Sequence, residues 1–432
     1  MIECIAIYVY SEVGGLASKS GEVDCLSLGN RFICNNRWFY TGSGRERLVL
    51  EPGARTAKWK LGDTNSKIAA MVRLLTEYGP QINRIARELG LHKETTRYWY
   101  KRLLERGYTL QAIPNHERLG LKRMVAFAEF SGRFRPYADA ILMAMSELCY
   151  LGSFMKTLPD DYYSIQASIP KECSSDWIRF MQALKERGLF KSIRIAPFQW
   201  VRVVPFQSEM YDFETDSWQY DWTSKPRVEQ ASFDFVPSPK GKFDGIDLNL
   251  IKQFQIDPAV SLIQVQKKIE VNYKTLDWHY RVHLIGNGLL KGYLVNWAGT
   301  RYDPRIEKAL HRRHKYMWVE LLVSDVTESE RMELMATINR LPFVWLEAGG
   351  RNYFAQIAFP METMTEALGF IKEAVAPVRD KSSWYFMDQA NALRFSLVPS
   401  LYDQETRTWK FDYEELLDKF DRLVLEIKGA TS

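Results

Sequence analysis

The chain is poor in the features that would staple it, anchor it or mark it for familiar chemistry. Its 432 residues hold five cysteines (Cys4, Cys25, Cys34, Cys149 and Cys173), an odd number at irregular spacing with no Cys-x-x-Cys pair. That pattern argues against a disulfide framework or a cysteine zinc site and assigns Cys149 and Cys173 to the core or its margin. No apolar run approaches the roughly 18 to 20 residues that cross a bilayer. The opening residues 1–10 carry Glu3 where a basic n-region would stand, so neither a signal peptide nor a membrane is expected and the cytoplasm is the default. No Gly-x-Ser-x-Gly, Walker A or Gly-x-Gly-x-x-Gly signature occurs. The expectation is therefore no enzyme and no cofactor. Charge of one sign is also scarce, with 58 Lys/Arg against 53 Asp/Glu, so a polyanionic partner must be argued from local charge.

What the chain does have is a repeat. Residues 211–222 read YDFETDSWQYDW and residues 402–413 read YDQETRTWKFDY. Both obey Tyr-Asp-x-Glu-Thr-x-Ser/Thr-Trp-x-aromatic-Asp-aromatic, so one architecture is written twice.

The rest of the chain divides around that repeat. Residues 1–62 are Gly-rich and aperiodic, apart from a hairpin-like patch at Arg37 to Tyr40. They are read as a poorly ordered extension or as upstream sequence from a wrong start. From 63 the apolar spacing sharpens: Ile68, Met71, Val72 and Leu75 form one helical stripe, and Ile82, Ile85, Ala86 and Leu89 form a second. After the turn glycine Gly90, a third helix over 92–105 turns Thr96, Tyr100 and Leu103 inward. Residues 108–113 suggest a wing. Strands at 123–130, 150–158, 162–169 and 193–204, with helices at 136–148 and 174–187, give the ferredoxin-like order. The series restarts with helices at 247–254, 262–269 and 272–284, strands at 315–324, 343–348, 353–359 and 392–398, and helices at 328–339 and 361–375.

The fold class is thus α+β: two tandem repeats, each a winged helix-turn-helix followed by a ferredoxin-like βαββαβ domain with an appended β-hairpin. The expected division is 63–122 and 123–222 for the first copy, 223–243 for a linker, 244–314 and 315–413 for the second copy, and 414–432 for a terminal helix.

The third helix of such a unit enters the major groove. In copy one, removing the buried positions leaves His92, Lys93, Thr95, Arg97, Tyr98, Lys101 and Arg102 for DNA, with Arg84 and Arg87 placed for phosphates. Copy two offers Asn272, Tyr273, Lys274, Thr275, His279 and Arg281, then a basic run at Arg301, Arg305, Lys308, Arg312, Arg313 and Lys315. Residues 67–106 hold nine Lys/Arg against four Asp/Glu, and 247–284 hold five against four, so copy one is the stronger candidate. Copy two also has Glu270-Val271 where copy one has its turn glycine. A helix-turn-helix can equally be a structural or protein-binding module, and a basic helix face is often merely solvated. His279 and His283 stand at a metal-sharing i, i+4 spacing, with His311 and His314 as further ligands. At the constant offset of 180 within the helical part, however, His283 falls on the buried Leu103, so no metal is expected. Trp99, beside Tyr98, is read as an exposed aromatic.

The run Arg84-Ile85-Ala86-Arg87-Glu88-Leu89-Gly90-Leu91, then Thr95-Thr96-Arg97 and Lys101-Arg102-Leu103, resembles the helix-turn-helix of Lrp/AsnC regulators. So does 113–121 leading into the 125–130 strand. The resemblance spans about 64–204 and more faintly 244–398. It implies a sequence-specific, double-stranded-DNA-binding transcription regulator of archaeal type, with ferredoxin-like domains that pair as an intramolecular pseudo-dimer or a homo-oligomer. The family's Gly-Asp element is replaced by Pro159-Asp160-Asp161 and Gly350-Arg351-Asn352, which leaves a small-molecule effector open. Two rivals share the pattern: a siroheme-decarboxylase-like tetrapyrrole enzyme, marked by a basic, His-bearing cleft between domains, and a protein-binding adaptor.

Overall fold

A computed structural model describes residues 26–28, 31–34, 37–40, 64–222, 239–298 and 314–430. The expectation of disorder for 1–62, most of the 223–243 linker and the basic run Arg301 to Arg313 fall largely or wholly outside those residues. Three short strands, β1 (Leu26–Leu28), β2 (Arg31–Cys34) and β3 (Arg37–Tyr40), form a small antiparallel sheet. No described helix is long and apolar enough to cross a membrane.

Copy one begins with α1 (Thr64–Tyr78), α2 (Ile82–Glu88) and α3 (Lys93–Glu105). The α1 stripe Ile68, Ala69, Met71, Val72 and Leu75 is buried, as its spacing requires. Gly90 turns between α2 and α3 at φ +61°. Copy two repeats the arrangement with α6 (Gly245–Ile256), α7 (Leu262–Ile269) and α8 (Tyr273–Trp278). Glu270 there takes the left-handed conformation of Gly90, at φ +55°, a conformation that glycine adopts without steric penalty and a side chain does not. The third helix of copy two departs from expectation. After Trp278 it widens into a π-helical turn over His279–Gly286.

The wings do not stand free. β4 (Thr109–Pro114) pairs antiparallel with β12 (Leu290–Asn296), so the two winged helices are joined to each other. Gly292 makes the approach feasible, because a Cβ there would lie 2.7 Å from the Thr76 carbonyl oxygen.

Each ferredoxin-like unit has the 4-1-3-2 strand order. In the first it is β8 (Phe190–Pro197), β5 (Leu121–Phe130), β7 (Tyr162–Pro170) and β6 (Leu151–Leu158). In the second it is β16 (Ser382–Arg394), β13 (Tyr316–Val323), β15 (Tyr353–Pro360) and β14 (Val344–Gly349). Helices α4 (Ala138–Leu148) and α5 (Ser174–Glu186) belong to the first, α9 (Glu328–Ile338) and α10 (Met364–Ala374) to the second. The fold is α+β, as expected.

The units then exchange edges. β16 leaves β13 and continues along β6, while β9 (Trp200–Val203) pairs with β14 of the other unit. Two sequence expectations are corrected by this exchange. The strand expected over 193–204 breaks at Pro197-Phe198-Gln199, where the chain crosses between units. The last strand begins at Ser382, ten residues before 392, because its aromatic first half is needed along β13. The result is one nine-stranded sheet coiled so that its halves face each other. Phe127 stacks on Tyr385 with centroids 4.0 Å apart, and Phe198 meets Phe354 at 5.7 Å. Between the halves the buried Glu320 accepts from Gln166 at 3.1 Å and from Gln356 at 2.6 Å.

The repeated motif forms two matching hairpins, β10–β11 (Tyr211–Asp212 and Ser217–Trp218) and β17–β18 (Tyr402–Asp403 and Thr408–Trp409). Asp212 Oδ1 accepts from the amides of Glu214 (2.8 Å) and Thr215 (3.3 Å), and Asp403 Oδ1 does the same for Glu405 and Thr406. Each hairpin is a clasp on the opposite copy. Trp218 packs on Trp297 and Phe343, whereas Trp409 donates to the Leu119 carbonyl at 2.7 Å and packs on Tyr150. The terminal helix α11 (Tyr413–Ala430) lies on α5 through Phe420 and Phe180.

Removing the Phe127 ring leaves Tyr385 unsupported at the contact of the two halves. Phe127→Ala is expected to lower unfolding stability by about 3–5 kcal/mol in a denaturant titration.

Candidate nucleic-acid interface and histidine sites

On α3, Lys93, Arg97 and Lys101 are exposed at i, i+4 and i+8, which places them in one stripe. Arg84 and Arg87 are exposed on α2, the Arg84 guanidinium lying 3.7 Å from the Tyr78 ring centre. His92 caps α3, its Nδ1 accepting from the Glu94 amide at 3.3 Å, so the imidazole serves the helix as well as facing solvent. Thr95 is half-buried, and Tyr98 is exposed with its hydroxyl taking the Arg102 Nε donor at 3.0 Å. Arg97 is paired with Glu94 at 2.5 Å, and Lys101 lies 3.9 Å from Glu105. Exposed pairs of this kind contribute only about 0–1 kcal/mol, so a phosphate or base edge can displace them. Trp99, expected to be exposed, packs half-buried against the core.

Copy two presents a different surface. Asn272 caps α8, its Oδ1 accepting from the Lys274 amide at 2.8 Å, while Lys274, Thr275 and Arg281 are exposed, Arg281 bonded to Asp277 at 3.0 Å. Around them Tyr273, Trp278, Val282 and Ile285 are 39–51% exposed, an apolar stripe where copy one is basic. His279 was expected to face DNA and does not. It is 5% exposed, at the position whose counterpart in copy one, Trp99, also packs inward.

There His279 meets Asp247, a residue the sequence reading did not single out. Asp247 is fully buried on α6, its Oδ1 2.8 Å from His279 Nδ1 and its Oδ2 2.8 Å from His283 Nδ1. Asp244 Oδ1 lies 3.8 Å from His279 Nδ1. His314 is exposed, and His311 lies outside the described residues.

A second histidine lies at the junction of winged helix and ferredoxin-like domain. Burial, then the neighbouring cations Arg123 and Lys291, push His116 down to about 3 from its ordinary 6.5. Arg123 reaches Ser168 at 3.2 Å and also bonds Gln166, and its own value falls to about 10 through burial. Lys291, on β12, lies 3.7 Å from Glu117. Wing pairing brings these groups together from both copies, which no spacing within one copy could reveal. Cys149 is buried and Cys173 half-buried, both free thiols.

No protein-family profile matches the chain, and no curated protein is similar to it. Among solved structures, the siroheme decarboxylase NirDL is 13% identical over 84% of this chain and 99% of its own, with a TM-score of 0.46. NirDL in complex with an iron-uroporphyrin III analogue is 14% identical over 83% and 98%, with a TM-score of 0.45. AsnC of E. coli (13% identity, TM-score 0.25) covers 31% of this chain and 91% of its own, and the AsnC-family protein PF0864 of Pyrococcus furiosus (18%, 0.26) covers 33% and 92%. AsnC-type regulators thus match about a third of the chain. The expectation of no enzyme is corrected at this point: NirDL, matched over more than four-fifths of this chain, is an enzyme.

The depressed value of His116 has a direct consequence for stability. The unfolded chain takes up this proton as pH falls through 6.5, the folded chain only near 3. His116 therefore contributes stability above pH 6.5 that is lost as pH falls towards 3. The unfolding free energy of His116→Gln is expected to fall less steeply across that window than that of the parent.

Proposed function

We propose that the chain is a transcription regulator that binds duplex DNA through its first helix-turn-helix. The supporting observation is the exposed stripe Lys93, Arg97 and Lys101 on α3, flanked by Arg84 and Arg87 on α2. The stripe supplies donors for guanine edges, and the flanking pair supplies phosphate neutralisation. Copy two, with its apolar stripe, contributes less to this surface. Internal pairing of the wings takes the place of a second chain, so a single molecule presents both helix-turn-helices.

Selection from random duplex DNA with the full chain, followed by binding titrations, tests this. Arg97→Ala is expected to lose about 1–3 kcal/mol on the selected site and to relax its sequence preference. Arg84→Ala is expected to weaken all sequences alike and to flatten the salt dependence. Lys274→Ala and Arg281→Ala are expected to change little. Sequence-blind binding that ignores Arg97 sinks the proposal.

A second reading, action on a carboxylated tetrapyrrole in the manner of a siroheme decarboxylase, is favoured by one observation: the His116, Arg123 and Lys291 group is a basic, His-bearing junction between domains. Such a junction suits a polyanionic macrocycle. Anaerobic addition of siroheme should then shift its main absorbance band and release carbon dioxide, and Lys291→Ala should weaken the shift. An unchanged spectrum at micromolar protein rules this reading out.

A further inference from the structure

The buried stripe of α1 (Ile68, Ala69, Met71, Val72 and Leu75) recurs in α6 as Asp247, Leu248, Leu250, Ile251 and Phe254, at a constant offset of 179. Asp247 therefore occupies the core position of Ile68. His279 stands at that of Trp99, at an offset of 180, and His283, past the residue that the π-turn adds, stands at that of Arg102, just as Leu284 and Gly288 stand at those of Leu103 and Gly107. Copy two has replaced an isoleucine, a tryptophan and an arginine with one carboxylate and two imidazoles that touch one another. Helix packing does not need them, since copy one packs the same three helices without them.

Their geometry has a focus. Both Nδ1 atoms point at one carboxylate, and one donor atom from each residue falls within 4.8 Å of the others. The two rings lie 4.9 Å apart and nearly perpendicular. His279 and His283 stand i, i+4 on one side of the helix, and both rings reach Asp247 on α6. A carboxylate buried in a protein core is expensive unless a cation compensates it. A divalent cation offsets it.

We propose that His279, His283 and Asp247 bind a divalent transition-metal ion of the zinc class through the two Nδ1 atoms and a carboxylate oxygen. Asp244, at the partly exposed side, or a water takes the fourth position. Mixed imidazole and carboxylate donors suit zinc, cobalt or nickel better than calcium or magnesium. Donor atoms on a tetrahedral zinc stand about 3.3 Å apart. The 2.8 Å contacts would open by roughly half an ångström, and both rings would carry their proton on Nε2. The ion would tie the first helix of the second helix-turn-helix to its third, fixing the helix that displays Trp278, Val282 and Ile285.

The full chain, stripped with chelator, is titrated with zinc and separately with cobalt. The expected result is one equivalent bound, visible cobalt absorption bands and a higher melting temperature. His283→Leu, which removes the imidazole, is expected to weaken binding on the order of 100-fold and remove the bands. Asp247→Ile should do the same, and if it does not fold, His279→Trp replaces it. Absence of a bound equivalent, or cobalt bands unchanged in folded His283→Leu, overturns the proposal and leaves the cluster a hydrogen-bonded strut.

Discussion

A four-stranded ferredoxin-like sheet has two unpaired edges and one bare face, and the structure depends on how these are closed. Here each half closes the other. β16 runs past its own unit onto β6, β9 runs past its own unit onto β14, and the two faces meet at Phe127–Tyr385 and Phe198–Phe354. Open edges invite pairing with foreign chains, and the two exchanges cover the β6 and β14 edges within one polypeptide. At the β9–β14 seam, Arg202 pairs with the fully buried Glu347, which also accepts from Tyr353 at 2.6 Å. A slip of one residue would part that ion pair, so the seam has a fixed register.

Covalent pairing also lets the two halves diverge. A homodimer must carry any substitution twice, but this chain carries it once. Gln166 and Gln356 are equivalent residues on β7 and β15, yet both bond one carboxylate, Glu320, because the residue paired with Gln166 on β5 is Val125. Burial raises the Glu320 carboxyl, a strain that two donors partly relieve. A second glutamate in place of Val125 would face the first across the core. The same freedom explains a basic third helix in one copy and an apolar one in the other.

The parts legible in the sequence were those whose cause is local. Helical stripes, Gly90 and the twin hairpins follow from spacing or from side chains that bond their own backbone, as Asp212 and Asp403 do. The parts that were not legible depend on the other copy. Nothing within 193–204 says that the chain will leave β8 for β14, and nothing local ties Lys291 to His116. Asp247 was hidden for a smaller reason. The alignment that held at 180 through the second helix and the start of the third slips to 179 in the first, one residue being added before Ser261, and this moves Asp247 from beside Lys67 onto Ile68.

That slip decides how the second copy is understood. At an offset of 180 Asp247 is one more solvated charge, and His279 and His283 are an imidazole near DNA and another near the core. At 179 Asp247 stands in place of Ile68, inside the helix core, where it meets both imidazoles. Asp247 or His279 alone would leave an unpaired polar atom in a helix core, so neither is stable without the other. The joint presence of both imidazoles around one carboxylate is a stronger sign of function than any motif in the chain. It also separates the two faces of the second helix-turn-helix: a polar interior that orders the third helix, and an apolar exterior that the ordered helix presents.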